Sequence, residues 1–513
     1  MAIRTIIPGP PGTGKTHRLV NHYLSKEINE LGTDPQLIAY LTFSRATTKD
    51  AIARIFKVLP GVELKYVSTL HSMGTKEVGI NTTQQLLHGK KWNQFKSYSS
   101  ICRNMNFDSY VDAHGNPVYQ DKNLKVISYS RAKLISLEEA CIELNYHEDT
   151  VDIDFVYQVE KDLETFKKST SMVEFSDMIK LFVERDVCPP LEAVFLDEAQ
   201  DLNQAHFKMF EYIESRCARS YIAGDDDQTI FGFQGADANI FINLKGIRDD
   251  QEQSYRVPRL IHAEAKKILG QINSRLEKKW FPKDADGEVF KHVYLEEIDY
   301  SKGEWMILGA TNKLLEEFYE HFYRIGLRTF GKTNQILPND VLEAYQFWKR
   351  LNKGGIIEGK HAQKIYKYLN YNKGHTAYGY SSGKTLVNVE MITLEDLKKN
   401  HGLLVTGSWE QLNFNEDTKN YMRALLKSGD DLETKPRIEL STIHRAKGRE
   451  RENIVLCMDY GTERQAEWLS REAAKDPDAT HRVFFVGTTR AMQRLYILAP
   501  RTSFYYSIGH PII

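Results

Sequence analysis

A short apolar strand that runs straight into a glycine-rich turn and then a helix restricts this chain more than any other feature. Ile3 to Ile7 read as the strand, and the turn Gly9-Pro10-Pro11-Gly12-Thr13-Gly14-Lys15-Thr16 fits the pattern GxxxxGK[ST]. The glycines let backbone N–H groups curl around phosphate oxygens, and the helix N-terminus behind them adds partial positive charge. In that arrangement Lys15 reaches the β- and γ-phosphates and the Thr16 hydroxyl holds Mg²⁺. By itself the loop signals nucleotide binding and nothing more.

The alternation continues. A helix is expected from Thr16 to Leu31, a strand over Leu37–Phe43 and a helix over Thr47–Leu59, with later strands at Ala193–Leu196 and Ser220–Ala223. Apolar strands separated by helices predict a parallel sheet. Residues 75–165 are polar and tyrosine-rich and break the rhythm, as an inserted helical subdomain would. Strands at Trp305–Ala310, Arg437–Ser441, Asn453–Met458 and Leu495–Leu498 predict a second α/β unit, beginning near Asn243. Within it, residues 331–435 are rich in Tyr, Lys and Gly and read as a second insertion. The expected fold is therefore α/β: one unit from 1–74 and 166–242, another from 243–330 and 436–513, each carrying a mainly helical insertion.

Val194-Phe195-Leu196-Asp197-Glu198 places two carboxylates at the C-terminal end of a strand, the sheet edge where ligands bind in such folds. Asp197 would accept Mg²⁺ through water, and Glu198 would orient and deprotonate an attacking water; a metal and a positioned base are what phosphoryl transfer to water requires. A solvated acidic turn is the competing reading of this pair taken alone, and the phosphate loop weighs against it.

Composition narrows the partners. Among 513 residues, 68 are basic and 69 acidic, a formal net charge of −1, so the chain lacks the basic excess of a protein that merely coats nucleic acid. Any contact with a polyanion must be a local groove in which base stacking shares the work. The five cysteines (Cys102, Cys141, Cys188, Cys217, Cys457) form no CxxC pair, which argues against a zinc or iron–sulfur site and against a disulfide framework. No apolar run is long enough to span a membrane, and the first residues do not read as a secretory signal. A cytoplasmic protein is expected.

Further along the chain the strings become specific. Asp197-Glu-Ala-Gln-Asp201 resembles the DExQD box of the UvrD/Rep helicases of superfamily 1, and Ala223-Gly-Asp-Asp-Asp-Gln228-Thr-Ile-Phe231-Gly-Phe233-Gln-Gly-Ala236 resembles their GDDDQSIYxFRGA motif. Gln253-Ser-Tyr255-Arg256 is similar to QNYRS, Thr442-Ile-His444-Arg-Ala-Lys-Gly-Arg-Glu450 to TIHKAKGLE, and Val486-Gly-Thr-Thr-Arg490-Ala491 to VGxTRA. Upstream, Leu41-Thr-Phe43-Ser44 and Ser68-Thr-Leu-His71-Ser72 resemble LTFT and TFHS, and Phe175-Ser-Asp177 a further acidic box. These strings occur in the family's order.

The resemblance implies two RecA-like P-loop NTPase lobes, with ATP and Mg²⁺ between them and single-stranded DNA across them. It implies that Gln228 senses the γ-phosphate, Tyr255 stacks on the base, Glu450 contacts the ribose, and Arg256 and Arg490 approach the γ-phosphate from the second lobe. Such an arginine finger is worth about 10³–10⁵ in rate, and its placement on another lobe ties hydrolysis to closure. Phe43 and Phe233 match ring positions that stack on bases, and Phe231 a neighbouring ring; core packing is the competing reading for all three. His71 and His444 match positions that touch the strand or couple it to the nucleotide. The activity implied is 3′→5′ movement with duplex unwinding, by a monomer acting on single strands and single-strand/duplex junctions, with replication or repair proteins as partners.

Two other readings stay open: a translocase that displaces proteins without efficient unwinding, and a remodelling ATPase independent of nucleic acid. The sequence also departs from the family pattern. The adenine-reading glutamine element expected before the loop has no counterpart here. His17 stands where an arginine is usual, with Arg18 one place later, and Arg45-Ala46-Thr47-Thr48 replaces Asn-Lys-Ala-Ala. The second insertion is short, and no nuclease domain is expected after Arg490.

Overall fold

The structure, a computed structural model, describes residues 2–111, 117–146, 150–331, 337–380, 383–387, 389–430, 432–460 and 476–508. It forms two compact units, Met1–Leu295 with Ile443–Ile513, and Glu296–Thr442.

The first unit is built on six parallel strands in the order Tyr66–Thr69, Ile38–Thr42, Ala193–Leu196, Arg219–Gly224, Ile3–Pro8 and Ile247–Arg248. Side chains alternate along each strand, so both faces are apolar. Ile6, Ala39, Leu41, Val194, Leu196 and Ile222 pack on one face, and Ile7, Ile38, Tyr40, Phe195, Tyr221 and Ala223 on the other. This arrangement aligns the C-terminal ends of five strands along one edge, where Gly9, Phe43, His71, Asp197 and Asp225 follow.

The helix after the phosphate loop differs from the even α-helix expected. It is α-helical over Lys15–His17, π-helical over Arg18–Leu24 and α-helical again over Ser25–Asn29. Leu19, Val20 and Leu24 of the wider turn are buried, while Arg18 turns out to pair with Asp249 at 2.7 Å. Residues 45–48 have a local purpose. Ser44 caps the helix Arg45–Val58 by accepting from Thr47 N, and Thr42 and Thr48 share a hydroxyl hydrogen bond of 2.6 Å.

Most of the stretch expected as the first insertion has a core of its own, in which Trp92, Phe95, Leu124, Ile127, Leu163 and Phe166 are buried together. It is mainly helical, with Lys122–Lys133 and Ile153–Thr170 its longest elements. Arg131 and Lys167 pin it to Glu174 and Asp177 at the start of the helix Phe175–Glu184. The first unit also holds three parallel strands, Glu288–Val293, Ala491–Leu498 and Arg451–Leu456, and a parallel pair, Gln253–Pro258 with Phe281–Lys283.

In the second unit Thr329–Gly331, Ile438–Thr442 and Trp305–Gly309 are parallel neighbours. Helices Asn339–Asn352, Gly359–Tyr366, Leu394–Asn400 and Glu416–Lys427 enclose a core around Trp348, Ile365, Leu397 and Met422. Residues 332–336, 381–382, 388 and 431 of the expected second insertion lie outside the described residues. No described helix is long and apolar enough to cross a membrane. The parallel-sheet α/β fold read from the sequence is the fold observed.

Candidate functional site

The phosphate loop leaves its strand with Gly9 N donating to Gly224 O, and closes with Arg18 N donating to Gly14 O at 2.8 Å. Gly12 and Gly14 have φ of 76° and 81°, where a side chain is strained. The strand Gln253–Pro258 is laced to this loop: Tyr255 N donates to Gly12 O and Ser254 Oγ to Pro11 O, each at 2.8 Å. A Cβ at Gly12 would stand 2.6 Å from Arg256 Cβ. The loop and the arginine strand are therefore one packed structure.

Lys15 Nζ donates to Gly9 O at 2.6 Å. Burial pushes its amine below the ordinary lysine range, against the pull of Asp225, Glu198 and Asp197. Thr16 Oγ1 donates to Asp197 Oδ2 at 2.7 Å, and Tyr40, buried in the next strand, donates to the same oxygen at 3.2 Å. Burial and the neighbouring Glu198 push Asp197 up to about 6. Glu198 adopts φ 57°, a left-handed conformation costly for a residue with a side chain, at the start of the short turn Ala199–Asp201. Burial would raise its carboxyl, but Lys15, Lys447, the Gln200 amide and Arg490 together hold it below the usual range.

Arg490, 2% exposed, donates from Nη2 to Gln228 Oε1 at 2.7 Å and from Nε to Val486 O at 3.0 Å. Burial and the nearby Arg256 bring its guanidinium down to about 9. Gln228 Nε2 donates to Asp225 Oδ2 at 2.6 Å. Arg256 Nη1 donates to Glu450 Oε2 at 2.8 Å, while its buried Nε makes no hydrogen bond among the described residues. Tyr255 is 72% exposed, an open ring at the rim.

Lys15, Glu198, Asp197, Gln228, Arg256 and Arg490 are thus brought together, with Thr16 bonded to Asp197 and Glu450 to Arg256. The donors suit a magnesium nucleotide. A glycine cradle and a half-buried lysine match phosphate oxygens, a hydroxyl beside a carboxylate matches a hard cation, and the unsatisfied Arg256 Nε points to a missing acceptor.

Two sequence models of one family match this chain: UvrD/REP helicase N-terminal domain over residues 3–247, and UvrD-like helicase C-terminal domain over residues 390–502. The chain belongs to the UvrD/Rep helicase family. An ATP-dependent DNA helicase PcrA of Leuconostoc citreum is 21% identical over 379 residues, 67% of this chain and 48% of its own. PcrA of Bacillus subtilis is 24% identical over 330 residues (59% and 42%), and the ATP-dependent DNA helicase Rep of Buchnera aphidicola 26% over 305 residues (55% and 45%). The chain spans about half the length of the curated relatives it matches. Among solved structures, an arterivirus nonstructural protein 10 (helicase) aligns with 98% of this chain and 60% of its own at a TM-score of 0.33 and 11% identity.

The aromatic residues expected at a strand-binding groove also come together in this UvrD/Rep chain. Ring centroids are 6.5 Å apart for Phe43 and Phe231, 6.2 Å for Phe231 and Phe233, and 5.6 Å for Phe233 and His444. His71 Nδ1 and His206 Nε2 lie 3.2 Å apart, and His206 packs edge-on to Phe43. Phe43 and Phe231 are 7% and 3% exposed, so they pack inward as supports. Phe233 is half-buried and presents the accessible ring. Burial brings His71 and His444 down to about 4, so both are neutral near pH 7.

Several further residues of the site carry no role that the motifs alone imply. Lys447 donates to Asp201 and to Gln228 O and stands 5.3 Å over the Phe231 ring, joining the aromatic cluster to the nucleotide pocket. It lies inside a quoted string, which was the available signal. Gln200 bridges Glu198 and Asp225 N. Asp225, Asp226 and Asp227 bring their oxygens close enough to suggest a metal site, but the ammonium of Lys278 occupies that position, with contacts to all three. Of the departures, His17 is exposed, and Arg18 is held by Asp249 beside Tyr23.

Proposed function

We propose that this chain hydrolyses ATP to drive itself along single-stranded DNA, 3′→5′, and separates duplex ahead of it. The observation that carries this reading is the convergence of two arginines, Arg256 and Arg490, on the pocket of Lys15 and Glu198. Together they provide the cations and the carboxylate that phosphoryl transfer to water needs.

Lys15 and the loop amides bind the phosphates, and Tyr255 supplies a stacking face for the base. Thr16 and Asp197 offer oxygen donors to Mg²⁺, which when bound neutralises charge on the β- and γ-phosphates. Glu198 accepts the proton of the attacking water. Arg256 and Arg490 stabilise the charge that develops on the transferred phosphoryl group. Gln228 touches Arg490 on one side and, through Lys447, the aromatic cluster on the other; this continuity supports coupling between hydrolysis and the strand on Phe233. Glu450 holds Arg256 until a nucleotide competes for it.

In this reading residues 1–74 with 166–242 form the ATP-binding lobe and 243–330 with 436–513 the second, with insertions at 75–165 and 331–435. The protein works as a cytoplasmic monomer at single-strand/duplex junctions, alongside replication or repair proteins. The test is ATP hydrolysis with and without single-stranded DNA, followed by strand displacement on 3′-tailed and 5′-tailed duplexes. Stimulation with displacement of the 3′-tailed substrate is expected. Stimulation without displacement would indicate a translocase, and no stimulation a remodelling ATPase.

A further inference from the structure

Lys278 is 1% exposed on its side chain and is surrounded by three equally buried aspartates. It belongs to the segment Asn273-Ser-Arg-Leu-Glu-Lys-Lys-Trp280, which neither family match covers. Its Nζ donates to Asp225 Oδ1 at 2.7 Å, also contacts Asp226, and lies 3.0 Å from Asp227. The same segment holds the acidic turn twice more: Arg275 makes a two-pronged pair with Asp227 at 2.8 Å, and Leu276 N donates to Asp226 Oδ2 at 2.7 Å.

The other end of this strap is tied to the helix that leads to Arg490. Asp478 accepts from Asn273 N and Ser274 N, Arg482 Nη2 donates to Ser274 O at 2.7 Å, and Trp280 packs edge-on to Phe485. Gln228 is thus held from two sides. Arg490 donates to its oxygen, and Asp225, fixed by Lys278, accepts from its nitrogen. An amide between a donor and an acceptor has one satisfied orientation, and Lys278 on Oδ1 holds the Asp225 carboxylate with Oδ2 facing the Gln228 amide.

We infer that Lys278 is a positioning residue for hydrolysis: through Asp225 it sets the side-chain amide of Gln228 toward Arg490, so that the strap and the finger-bearing helix move the sensor glutamine together. This rests on the motor reading of the site, and the parent protein separates the two questions. If single-stranded DNA fails to stimulate the parent, the motor reading is wrong before any variant is made.

With stimulation established, Lys278→Met is measured beside Lys278→Met/Asp226→Asn, which keeps the net charge of the cluster. The amide oxygen that replaces the Asp226 carboxylate in the double variant can still accept from Leu276 N. A small misplacement at a catalytic group costs up to about a hundredfold. The DNA-stimulated kcat should therefore fall about tenfold to a hundredfold, with the KM for ATP moving much less. Adding Lys278→Met/Asp226→Asn to Gln228→Ala should cause no further loss, because the strap acts through that glutamine. A charge-balanced variant with parental kcat would overturn the proposal, as would a loss that multiplies onto Gln228→Ala. If neither Lys278 variant folds, Lys278 is a residue of the fold and the proposal is wrong.

Discussion

In the proposed mechanism each of the site residues has a separable chemical task. Lys15→Ala and Arg490→Ala should each abolish turnover, the latter by about 10³–10⁵, while binding to a labelled single strand persists; turnover near the parental rate in either would remove that residue from the mechanism. The two phenylalanines on which the groove depends should behave oppositely. Phe43 is buried in the sheet core, so Phe43→Ala should lower stability by about 3–5 kcal/mol. Phe233→Ala should leave the melting temperature nearly unchanged and weaken single-strand binding by about 1–3 kcal/mol. Equal stability losses would contradict the division. Acid has a definite sign as well. His71 and His444 sit at about 4 in the folded chain against 6.5 ordinarily. The unfolded chain therefore binds protons first as pH falls. The stability contributed by the neutral rings is present above about pH 6.5 and lost between about 6.5 and 4. His444→Gln should flatten the fall in melting temperature on acidification, and an undiminished fall would assign it to other groups.

At the scale of elements, the strand Gln253–Pro258 lies so tightly on the phosphate loop that the loop cannot change shape alone. Gly12→Ala would force Cβ to 2.6 Å from Arg256 Cβ at a φ of 76°. It should cost about 1–2 kcal/mol from the backbone alone and weaken nucleotide binding by displacing the arginine strand. Melting curves with and without an ATP analogue check this, and a variant stabilised by the analogue as much as the parent would contradict it. The strands were legible because buried parallel strands are continuous apolar runs, and the loop because its glycines and lysine lie next to one another in sequence. The strap Asn273–Trp280 was not. It has no strand or helix period, and the partners of Lys278 lie far away in the chain. The π-helical turn at Arg18–Leu24 was also invisible, since its apolar residues keep a helical spacing and Asp249, the partner of Arg18, lies far away in the chain. The exposure of Phe233 beside the burial of Phe43 and Phe231 is set by neighbours from several elements, which aromatic spacing cannot reveal.

For the whole molecule, near-neutral charge coexists with a cluster of partly or fully buried cations. Those cations are committed to Asp225, Asp201, Gln228 and Glu450, so they are not a general attraction for polyanions. The motifs spread over both family matches converge in the unit Met1–Leu295 with Ile443–Ile513. Their order in the sequence identified the family but could not say which residues touch. The central claim is that one nucleotide engages acid and metal ligands from early motifs and arginines from late ones. A structure with Mg²⁺ and a non-hydrolysable ATP analogue tests it most directly. Arg256, released from Glu450, and Arg490 should both stand within hydrogen-bonding distance of the γ-phosphate, about 3 Å, opposite Lys15. A γ-phosphate bound by Lys15 alone, with Arg256 still on Glu450 and Arg490 turned away, would contradict the account.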